Sequence, residues 1–251
     1  MAAPVTLITG ASAGLGAEFA RQCARRKERL VLVARRRDRL EAVATEIGGA
    51  TVIAADLAEA GAAERLIGGL TAQGLEVGTL INNAGFGLTG RFAALPLERQ
   101  REMIDLNIRT LVELSRIVLP AMLERGRGGI LNVASTAAFQ PGPYFAVYFA
   151  SKAFVLSFTE ALHQEAKGTG VRVSALCPGP TATEFGEVAG VTSARFDRLS
   201  ASAPAVVAAG LKGLDRNKAL VIPGAMNKAT AQAGRLIPRA AMRRIVASLK
   251  I

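Results

Sequence analysis

The chain has little cysteine, histidine or tyrosine and no tryptophan. It contains two Cys and one His in 251 residues, and Cys23 and Cys177 stand in neither a CxxC nor a metal-binding spacing. This scarcity argues against a disulfide-stapled secreted domain and supplies no candidate metal ligands. We expect both thiols to be reduced and buried in the core of a cytoplasmic protein.

Long hydrophobic runs are also missing. The segment 128–151 has no charged residue, but Asn132, Gln140, Pro141 and Pro143 interrupt it. A buried strand followed by a loop explains this segment better than a membrane span does. No basic region precedes an apolar stretch near residue 1, so the sequence predicts neither a signal peptide nor a transmembrane segment.

Negative charge is in the minority. The net charge of +11 is typical of chains that bind nucleic acid or anionic membrane surfaces. Aromatic residues make up only 5% of the chain, which leaves few side chains to stack on bases, and no nucleic-acid-binding motif occurs. We expect a general attraction to anions and no dedicated nucleic-acid site.

Residues 225–251 are predicted to form a helical tail. Pro238 suits the first turn of a helix, and apolar residues after it form a stripe opposite basic ones. The apolar set is Ile237, Ala241, Met242, Ile245, Val246 and Leu249, and the basic set is Arg235, Arg239, Arg243, Arg244 and Lys250. A peripheral membrane contact, a cover over the substrate and a subunit contact remain open, and the last two are favoured. A homodimer or homotetramer is expected.

Short apolar runs alternate with stretches of helical spacing along the chain. Strands are predicted at 4–9, 30–34, 51–55, 78–82, 129–134, 171–177 and 219–222. Strict alternation indicates right-handed βαβ crossovers and a parallel sheet, which is normally covered on both faces. We therefore predict one α/β domain over residues 1–251, a doubly wound parallel sheet of about seven strands with helices on both faces.

A glycine-rich turn follows the first predicted strand and leads into a helix. Gly10, Gly14 and Gly16 allow a tight turn and a close approach of the backbone to a phosphate, and the first N–H groups of the helix favour negative charge. The order of strand, turn and helix predicts a dinucleotide-binding site.

Small and polar residues follow several later strands. They are Asn82, Asn83, Ala84 and Gly85, then Ser135, then Pro178 and Gly179. Parallel strands bring their carboxyl ends to the same edge of a sheet, so we expect these segments to converge with the glycine turn on one crevice.

Tyr148 and Lys152 are four residues apart in a predicted helix. This spacing places a phenol and an ammonium on one face, where both can reach one reacting atom. A neighbouring cation favours the phenolate, so we expect the pKa of Tyr148 to fall from about 10 toward neutrality. Tyr144, the other tyrosine, has no lysine four residues later.

Together these motifs resemble the short-chain dehydrogenase/reductase family. The matching residues are Thr9-Gly10-x-x-x-Gly14-x-Gly16, Asn82-Asn83-Ala84-Gly85, Asn107, Ser135, Tyr148-x-x-Ser151-Lys152 and Pro178-Gly179. They occur in the family's order over about residues 4 to 185. The resemblance implies a Rossmann-like fold and an enzyme that transfers a hydride between a nicotinamide dinucleotide and a carbonyl or hydroxyl group.

The resemblance also implies catalytic roles. Tyr148 is expected to give a proton to the substrate oxygen or to take one from it. Lys152 would lower the pKa of the phenol and hold the nicotinamide ribose, and Ser135 would donate a hydrogen bond to the substrate oxygen. Asn107, in a helix predicted from Leu97 to about Arg125, would hold a water that passes protons toward Lys152.

The end of the second predicted strand indicates which dinucleotide binds. This position reads the adenosine ribose, and an acidic residue there suits NAD. Arg35, Arg36 and Arg37 stand there instead, and guanidinium groups suit a 2′-phosphate. We predict a preference for NADP(H) over NAD(H), with Arg35 and Arg36 as phosphate ligands and Ser12 as a helper. Arg37 and Arg39 are interpreted as parts of a solvated turn.

Further cofactor contacts are implied by the resemblance. Pro178, Gly179 and Thr183 are expected to border the nicotinamide carboxamide. Asp56 is expected at the adenine, although an Asp that caps the next helix would look the same. The full predicted set is Gly10, Ser12, Gly14, Leu15, Gly16, Arg35, Arg36, Asp56, Asn83, Ala84, Gly85, Tyr148, Lys152, Pro178, Gly179, Thr181 and Thr183.

The segments expected to wall the substrate pocket are mainly apolar. They are residues 86–88, 137–144 and 184–203, and the last contains Gly and Ser residues that favour a mobile substrate lid. A hydrophobic ketone, alcohol or acyl derivative is favoured over a phosphorylated sugar.

The alternative to an enzyme is a non-catalytic dinucleotide-binding redox sensor or scaffold, which has no physical need for a phenol beside an ammonium. His163 is interpreted as structural.

Overall fold

A seven-stranded parallel sheet carries the molecule, in the strand order β3-β2-β1-β4-β5-β6-β7. The computed structural model describes residues 3–191, 200–234 and 236–248. The strands are β1 (Ala3–Thr9), β2 (Leu30–Ala34), β3 (Thr51–Ala54), β4 (Leu75–Asn82), β5 (Gly128–Val133), β6 (Val171–Leu176) and β7 (Leu220–Val221). All seven predicted strands are confirmed, and the largest difference at an end is the earlier start of β4.

Helices occupy the connections between the strands. They are α1 (Gly14–Arg25), α2 (Arg37–Glu46), α3 (Ala62–Ala72), α4 (Leu97–Ile104), α5 (Thr110–Glu124), α6 (Ala146–Glu165), α7 (Phe185–Ala189), α8 (Ala203–Asp215), α9 (Ala225–Ala233) and α10 (Arg239–Ser248). Short 3₁₀ turns lie at Phe92–Ala94 and Thr136–Phe139. The predicted α/β class is confirmed.

Successive strand residues are buried on opposite faces of the sheet. On β1, Ile8 packs into a core layer that includes α1, α2 and α8, with Phe19 and Leu211 among its members. Leu7 packs into a second layer with α3 and α5, which includes Leu70 and Leu114. Neighbouring strand residues such as Leu7 and Ile8 are both apolar because both faces of the sheet are covered. This explains why the strands are continuous apolar runs.

The strand order reverses between β1 and β4. From β1 the chain runs outward through β2 to β3, then returns to pair β4 with the other side of β1. The loops that leave β1 and β4 therefore diverge and open a crevice at the carboxyl edge of the sheet. Every predicted site segment that follows a strand enters this edge.

The helix predicted from Leu97 to about Arg125 contains an unexpected turn. Residues Asp105–Arg109 between α4 and α5 form a π-helical turn, in which the N–H of Thr110 donates to the carbonyl of Asp105. Asn107 lies in this turn and is 1% exposed. Such turns interrupt the regular helical spacing and are frequent at functional sites.

The tail helix α10 packs against the apolar residues at one end of the crevice. Met242 and Val246 are buried in a cluster that includes Phe86 and Tyr148. The predicted apolar stripe is narrower than expected, because Ala241 and Ile245 on the same helix are exposed. Three predicted tail residues, Arg235, Leu249 and Lys250, lie outside the described residues.

None of the helices in the described part of the chain is long and apolar enough to cross a membrane.

Candidate functional site

A cavity of about 610 Å³ opens at the carboxyl edge of the sheet. The predicted residues that line it are Gly10, Ser12, Gly14, Leu15, Arg35, Arg36, Asp56, Asn83, Ala84, Gly85, Ser135, Tyr148, Lys152, Pro178, Gly179, Thr181 and Thr183. The two others, Gly16 and Asn107, are buried behind the cavity wall. One continuous space thus joins the predicted phosphate end to the predicted catalytic end.

The glycine turn is too tightly packed for larger residues. Gly10 has φ +66°, and a Cβ there would lie 2.9 Å from the Cα of Ala84. A Cβ on Gly16 would lie 2.1 Å from the carbonyl oxygen of Gly10. Gly16 therefore serves the packing of α1 on the turn, as expected for the last glycine of a dinucleotide motif.

The turn is tied to the loop after β4 by hydrogen bonds. The side-chain amide of Asn83 donates to the carbonyls of Thr9 (2.9 Å) and Gly10 (3.2 Å). The Thr9 hydroxyl accepts from the N–H groups of Asn83 and Ala84, both at 3.0 Å. Asn83 lines the cavity, but its side chain fixes the shape of the turn.

The start of α1 suits an anion. Its N-cap residue, Ala13, makes no side-chain capping bond, and its first turn contains no acidic residue. The first N–H groups of the helix therefore have no side-chain acceptor, and Gly14 and Leu15 at this positive end of the helix dipole line the cavity. Together with the glycine turn, these groups fit the diphosphate of a dinucleotide.

Tyr148, Lys152 and Ser135 meet at the inner end of the cavity. Tyr148 is 8% and Lys152 6% exposed. The ammonium of Lys152 donates to the carbonyl of Val133 at 2.8 Å and lies 5.9 Å from the centre of the Tyr148 ring. The Ser135 hydroxyl accepts from the N–H of Ala137 at 3.1 Å, which fixes its position at the end of β5.

Burial has the largest effect on the pKa values of Tyr148 and Lys152. It raises the pKa of Tyr148 to about 12, although a hydrogen bond with Ser135 acts in the opposite direction. It also lowers the pKa of Lys152 to about 8. The predicted fall in the pKa of Tyr148 is therefore wrong, because removing the phenolate from water has the largest effect and the hydrogen bond with Ser135 only partly offsets it.

Asn107 joins the π-helical turn to two parts of the site. Its Oδ1 accepts from the N–H of Phe86 (3.1 Å), and its Nδ2 donates to the carbonyl of Phe86 (3.0 Å) and to the Ser151 hydroxyl (3.1 Å). Ser151 in turn donates to the carbonyl of Tyr148 at 2.7 Å. Both amide N–H bonds of Asn107 are used, so only Oδ1 keeps acceptor capacity for the predicted water.

The arginines at the opposite end of the cavity are paired with acids. Arg35 lies 3.0 Å from Glu102 and 3.7 Å from Asp56. Arg36 donates to the Ser12 hydroxyl at 3.3 Å and to Glu184 at 3.1 Å.

One expectation about this end needs correction. Arg37 and Arg39 are exposed, as predicted, but they lie in α2 rather than in a turn; Arg37 pairs with Glu41 at 3.5 Å, and Arg39 contacts Glu184. The structure excludes the alternative role of Asp56 as a helix cap, because the N-cap residue of α3 is Gly61, and the adenine contact stays a prediction. The Asp56 carboxylate accepts instead from the N–H of Ala58 at 2.9 Å.

The inner part of the cavity is walled by apolar side chains. Phe86, Ala137 and Phe185 lie in the predicted walls. Phe145 and Phe149 complete the wall and were missed, because they flank Tyr148 in a segment assigned to a helix rather than to the pocket. The Tyr148 ring packs at 5.2 Å from that of Phe185 and 5.5 Å from that of Phe145.

His163 Nδ1 lies 2.7 Å from the carbonyl of Val173, which is a structural contact. Cys23 and Cys177 are free and buried. No group of potential ligands in the described ranges could hold a metal ion. Of the predicted lid, residues 192–199 lie outside the described residues.

Known proteins resemble this chain over most of its length. Residues 4–192 match the family described as short chain dehydrogenase. The very-long-chain 3-oxoacyl-CoA reductase of Anas platyrhynchos is 36% identical over 218 residues, which cover 83% of this chain and 68% of that protein. The NADP-dependent 3-hydroxy acid dehydrogenase YdfG of Salmonella typhi is 38% identical over 187 residues, or 73% of this chain and 75% of that protein.

A solved structure shares the whole architecture. The short-chain dehydrogenase from Sphingobium yanoikuyae in complex with NADPH superposes with a TM-score of 0.82 at 35% sequence identity, and the match covers 93% of both chains. The sheet order, the glycine turn and the Tyr148-Lys152 pair thus occur in a chain whose sequence and fold both match known members. The chain belongs to the short-chain dehydrogenase/reductase family.

Proposed function

We propose that this protein is an NADP(H)-dependent oxidoreductase that interconverts a carbonyl and a hydroxyl group on a hydrophobic substrate. The observation that carries the proposal is the meeting of Tyr148, Lys152 and Ser135 at the buried end of a cavity whose other end presents Arg36 and Ser12. The alternative, a non-catalytic dinucleotide sensor, needs the end with Arg36 and Ser12 but not the buried end with Tyr148, Lys152 and Ser135.

The cofactor fits the residues that are present. Gly10 and Gly14 of the glycine turn line the cavity without side chains, and the start of α1 offers uncapped N–H groups to a diphosphate. Arg36 and Ser12 offer donors to a 2′-phosphate, and Pro178, Gly179 and Thr183 line the nicotinamide end. When bound, the nicotinamide supplies or accepts the hydride.

Side chains of the protein transfer the proton that accompanies the hydride. Tyr148 gives its phenolic proton to the substrate oxygen during reduction and takes the proton back during oxidation. Ser135 donates a hydrogen bond to the same oxygen, where charge develops. Lys152, protonated, holds the ribose hydroxyls and stabilises the phenolate that remains after proton transfer. Asn107 fixes the helix of the pair through Ser151.

The preference for NADP(H) rests on charge. Arg36 and Ser12 share a hydrogen bond at the cavity edge, and Arg35 lies beside them. Fork-shaped guanidinium groups suit the doubly charged 2′-phosphate, whereas the 2′-hydroxyl of NAD would leave them without an anion. The NADP and NADPH in the names of two matched proteins support the same choice.

The substrate class follows from the wall of the inner cavity. Phe86, Phe145, Phe149 and Phe185 present rings to it, and Lys152 is its buried charged group. An apolar ketone, alcohol or acyl chain buries favourably against these rings. Two matched relatives are named for 3-oxoacyl and 3-hydroxy acid substrates. We extend the proposal to one domain over residues 1–251, a homo-oligomer, and a reducing cytoplasmic setting that suits the two free thiols.

The test is a screen of the purified protein. NADPH oxidation would be followed by its absorbance with apolar ketones, aldehydes and 3-oxoacyl thioesters, and with a phosphorylated sugar as the polar control. We expect turnover with apolar carbonyl compounds and none with the sugar. Tight NADPH binding without turnover on any compound would favour the sensor alternative.

A further inference from the structure

One carboxylate, that of Glu184, joins the adenosine end of the cavity to the catalytic end. It lies 3.1 Å from the guanidinium of Arg36 and also contacts that of Arg39. Its residue immediately precedes α7 (Phe185–Ala189), which lies over the inner cavity. The sequence separation of 148 residues between Arg36 and Glu184 shows that this is a tertiary contact between two parts of the site.

The position of this carboxylate marks an anion site. Arg36 donates both to Glu184 and to the Ser12 hydroxyl, and Arg39 reaches the same carboxylate. Two guanidinium groups meet at one pair of carboxylate oxygens, and the Ser12 hydroxyl lies against one of these groups, so the cluster resembles the donor set that binds a phosphate monoester. Glu184 and Arg36 both line the cavity, so this anion site faces the space that holds the dinucleotide.

The other end of α7 is tied to the catalytic wall. The Phe185 ring lies 5.2 Å from that of Tyr148. Thr89 donates to the carbonyl of Ala189 through its hydroxyl (2.7 Å) and its N–H (3.0 Å). A shift of Glu184 would therefore move Phe185 against Tyr148 while Ala189 stays anchored.

We propose that Glu184 competes with the 2′-phosphate of NADP(H) for Arg36 and Arg39, and that its release moves Phe185 at the substrate end. Glu184 is thus a specificity-determining residue that couples recognition of the 2′-phosphate to the shape of the apolar pocket. Arg39 becomes a phosphate ligand beside Arg36. The inference rests on the proposed NADP(H) preference and deepens it.

An ordinary surface ion pair would have a different effect. Exposed pairs stabilise a protein little, and removing one leaves ligand binding unchanged unless the ligand uses the same donors. Competition predicts that neutralising Glu184 strengthens binding of ligands with a 2′-phosphate and leaves other adenosine ligands unaffected. Loss of an exposed, screened competitor corresponds to a gain of about three- to tenfold in affinity.

The first experiment measures affinity by calorimetry at low salt. The ligands are adenosine 2′,5′-bisphosphate and, as the matched ligand without the 2′-phosphate, 5′-ADP. Glu184→Gln keeps the shape of the side chain, and Glu187→Gln on the same helix, an exposed position, is the control variant. We expect Glu184→Gln to bind the bisphosphate about three- to tenfold more tightly than the wild type does, and Glu187→Gln to differ by less than about twofold.

The second experiment follows hydrogen exchange in α7 and the residues just after it. The amides of Val188, Gly190 and Val191 donate to the carbonyls of Glu184, Glu187 and Gly186. The bisphosphate should accelerate their exchange in the wild type, whereas a ligand that merely covers the pocket would slow it. In Glu184→Gln these amides should exchange faster from the outset and respond little to the ligand.

The outcomes separate this inference from the proposed function. Equal affinity of Glu184→Gln and the wild type for the bisphosphate, with a loss of about tenfold in Arg36→Ala, would refute competition and leave the NADP(H) preference intact. Slower exchange in the wild type with the bisphosphate would refute the coupling to α7. No discrimination between the bisphosphate and 5′-ADP by the wild type would refute both the cofactor preference and the role of Glu184.

Discussion

The two ends of the cavity are built on opposite electrostatic principles. At the adenosine end the side chains of Arg36 and Glu184 are 43% and 40% exposed, and each charge has an opposite charge beside it. At the catalytic end Tyr148 and Lys152 are almost fully buried, and apolar rings pack around Tyr148. Water screens the first end and is excluded from the second.

This difference decides which physical effect controls each end. Screened ion pairs at the surface contribute little to stability, so the adenosine end can discriminate between ligands without holding the fold together. Desolvation at the buried end shifts pKa values in opposite directions for the acid and the base. Changes at the catalytic end should therefore have large effects, and changes at the adenosine end smaller and more selective ones.

The largest effect is expected from Tyr148→Phe. Removing the hydroxyl deletes the proton donor, and kcat should fall about a hundred- to ten-thousandfold. The phenyl ring keeps its packing, so cofactor affinity measured by fluorescence titration should stay within about twofold. Tyr144→Phe is the matched control, because Tyr144 is 50% exposed. Equal activity of the two variants would refute the assigned role of Tyr148.

A large effect on pH-dependent stability is expected from Lys152→Met. The pKa of Lys152 is about 8 in the folded protein and about 10.4 when unfolded. Below pH 8 both states carry the charge, and its burial destabilises the wild type. Between about pH 8 and pH 10.4 Lys152 keeps its proton only in the unfolded state, so wild-type stability rises with pH. The advantage of the variant should shrink by about 3 kcal/mol from pH 7 to pH 10.4.

Urea unfolding at several pH values measures this change. The lost hydrogen bond to Val133 affects the variant equally at each pH, so the slope is informative and the offset is not. Parallel stability curves for the wild type and Lys152→Met would contradict a depressed pKa of Lys152.

A moderate effect is expected where the tail helix α10 supports the apolar end. Met242→Ala removes a side chain buried against the cluster of Phe86 and Tyr148. The free energy of unfolding should fall by about 2 kcal/mol, and KM for an apolar substrate should rise. Ile245→Ala on the same helix, at a 46% exposed position, should cost less than about 0.5 kcal/mol. Equal losses would show that α10 does not support the pocket.

The smallest effect is expected from Arg36→Ala at the exposed end. NADPH should bind about tenfold more weakly because a phosphate ligand is lost, whereas NADH affinity should change less than about twofold. Arg37→Ala is the control, since Arg37 is exposed and pairs with Glu41. Equal losses for both dinucleotides would move the phosphate site away from Arg36.

Much of the fold and part of the site could be predicted from the sequence because they depend on local patterns. The strands are continuous apolar runs, and parallel pairing places their carboxyl ends together whatever the details of the loops. Gly10, Ser135, Tyr148 and Lys152 follow or adjoin such elements, so their meeting in one cavity needs only the topology.

The remaining features depend on contacts distant in sequence. The pairing of Arg39 with Glu184 gives no signal in either segment. The direction of the Tyr148 pKa shift depends on how deeply the ring is buried, which spacing cannot show. The π-helical turn that presents Asn107 inserts within an otherwise regular helical pattern, so the pattern predicted one continuous helix.

All of these groups lie at the carboxyl edge of the sheet, and none of them lies at the opposite, amino edge. There Gly48 and Gly49 turn the chain into β3, and an added Cβ at either would meet no atom within 4 Å. A peptide tag or surface tether inserted between them would lie on the side of the molecule opposite the cavity. Immobilised in this way, the protein presents its open cavity to the bulk solution.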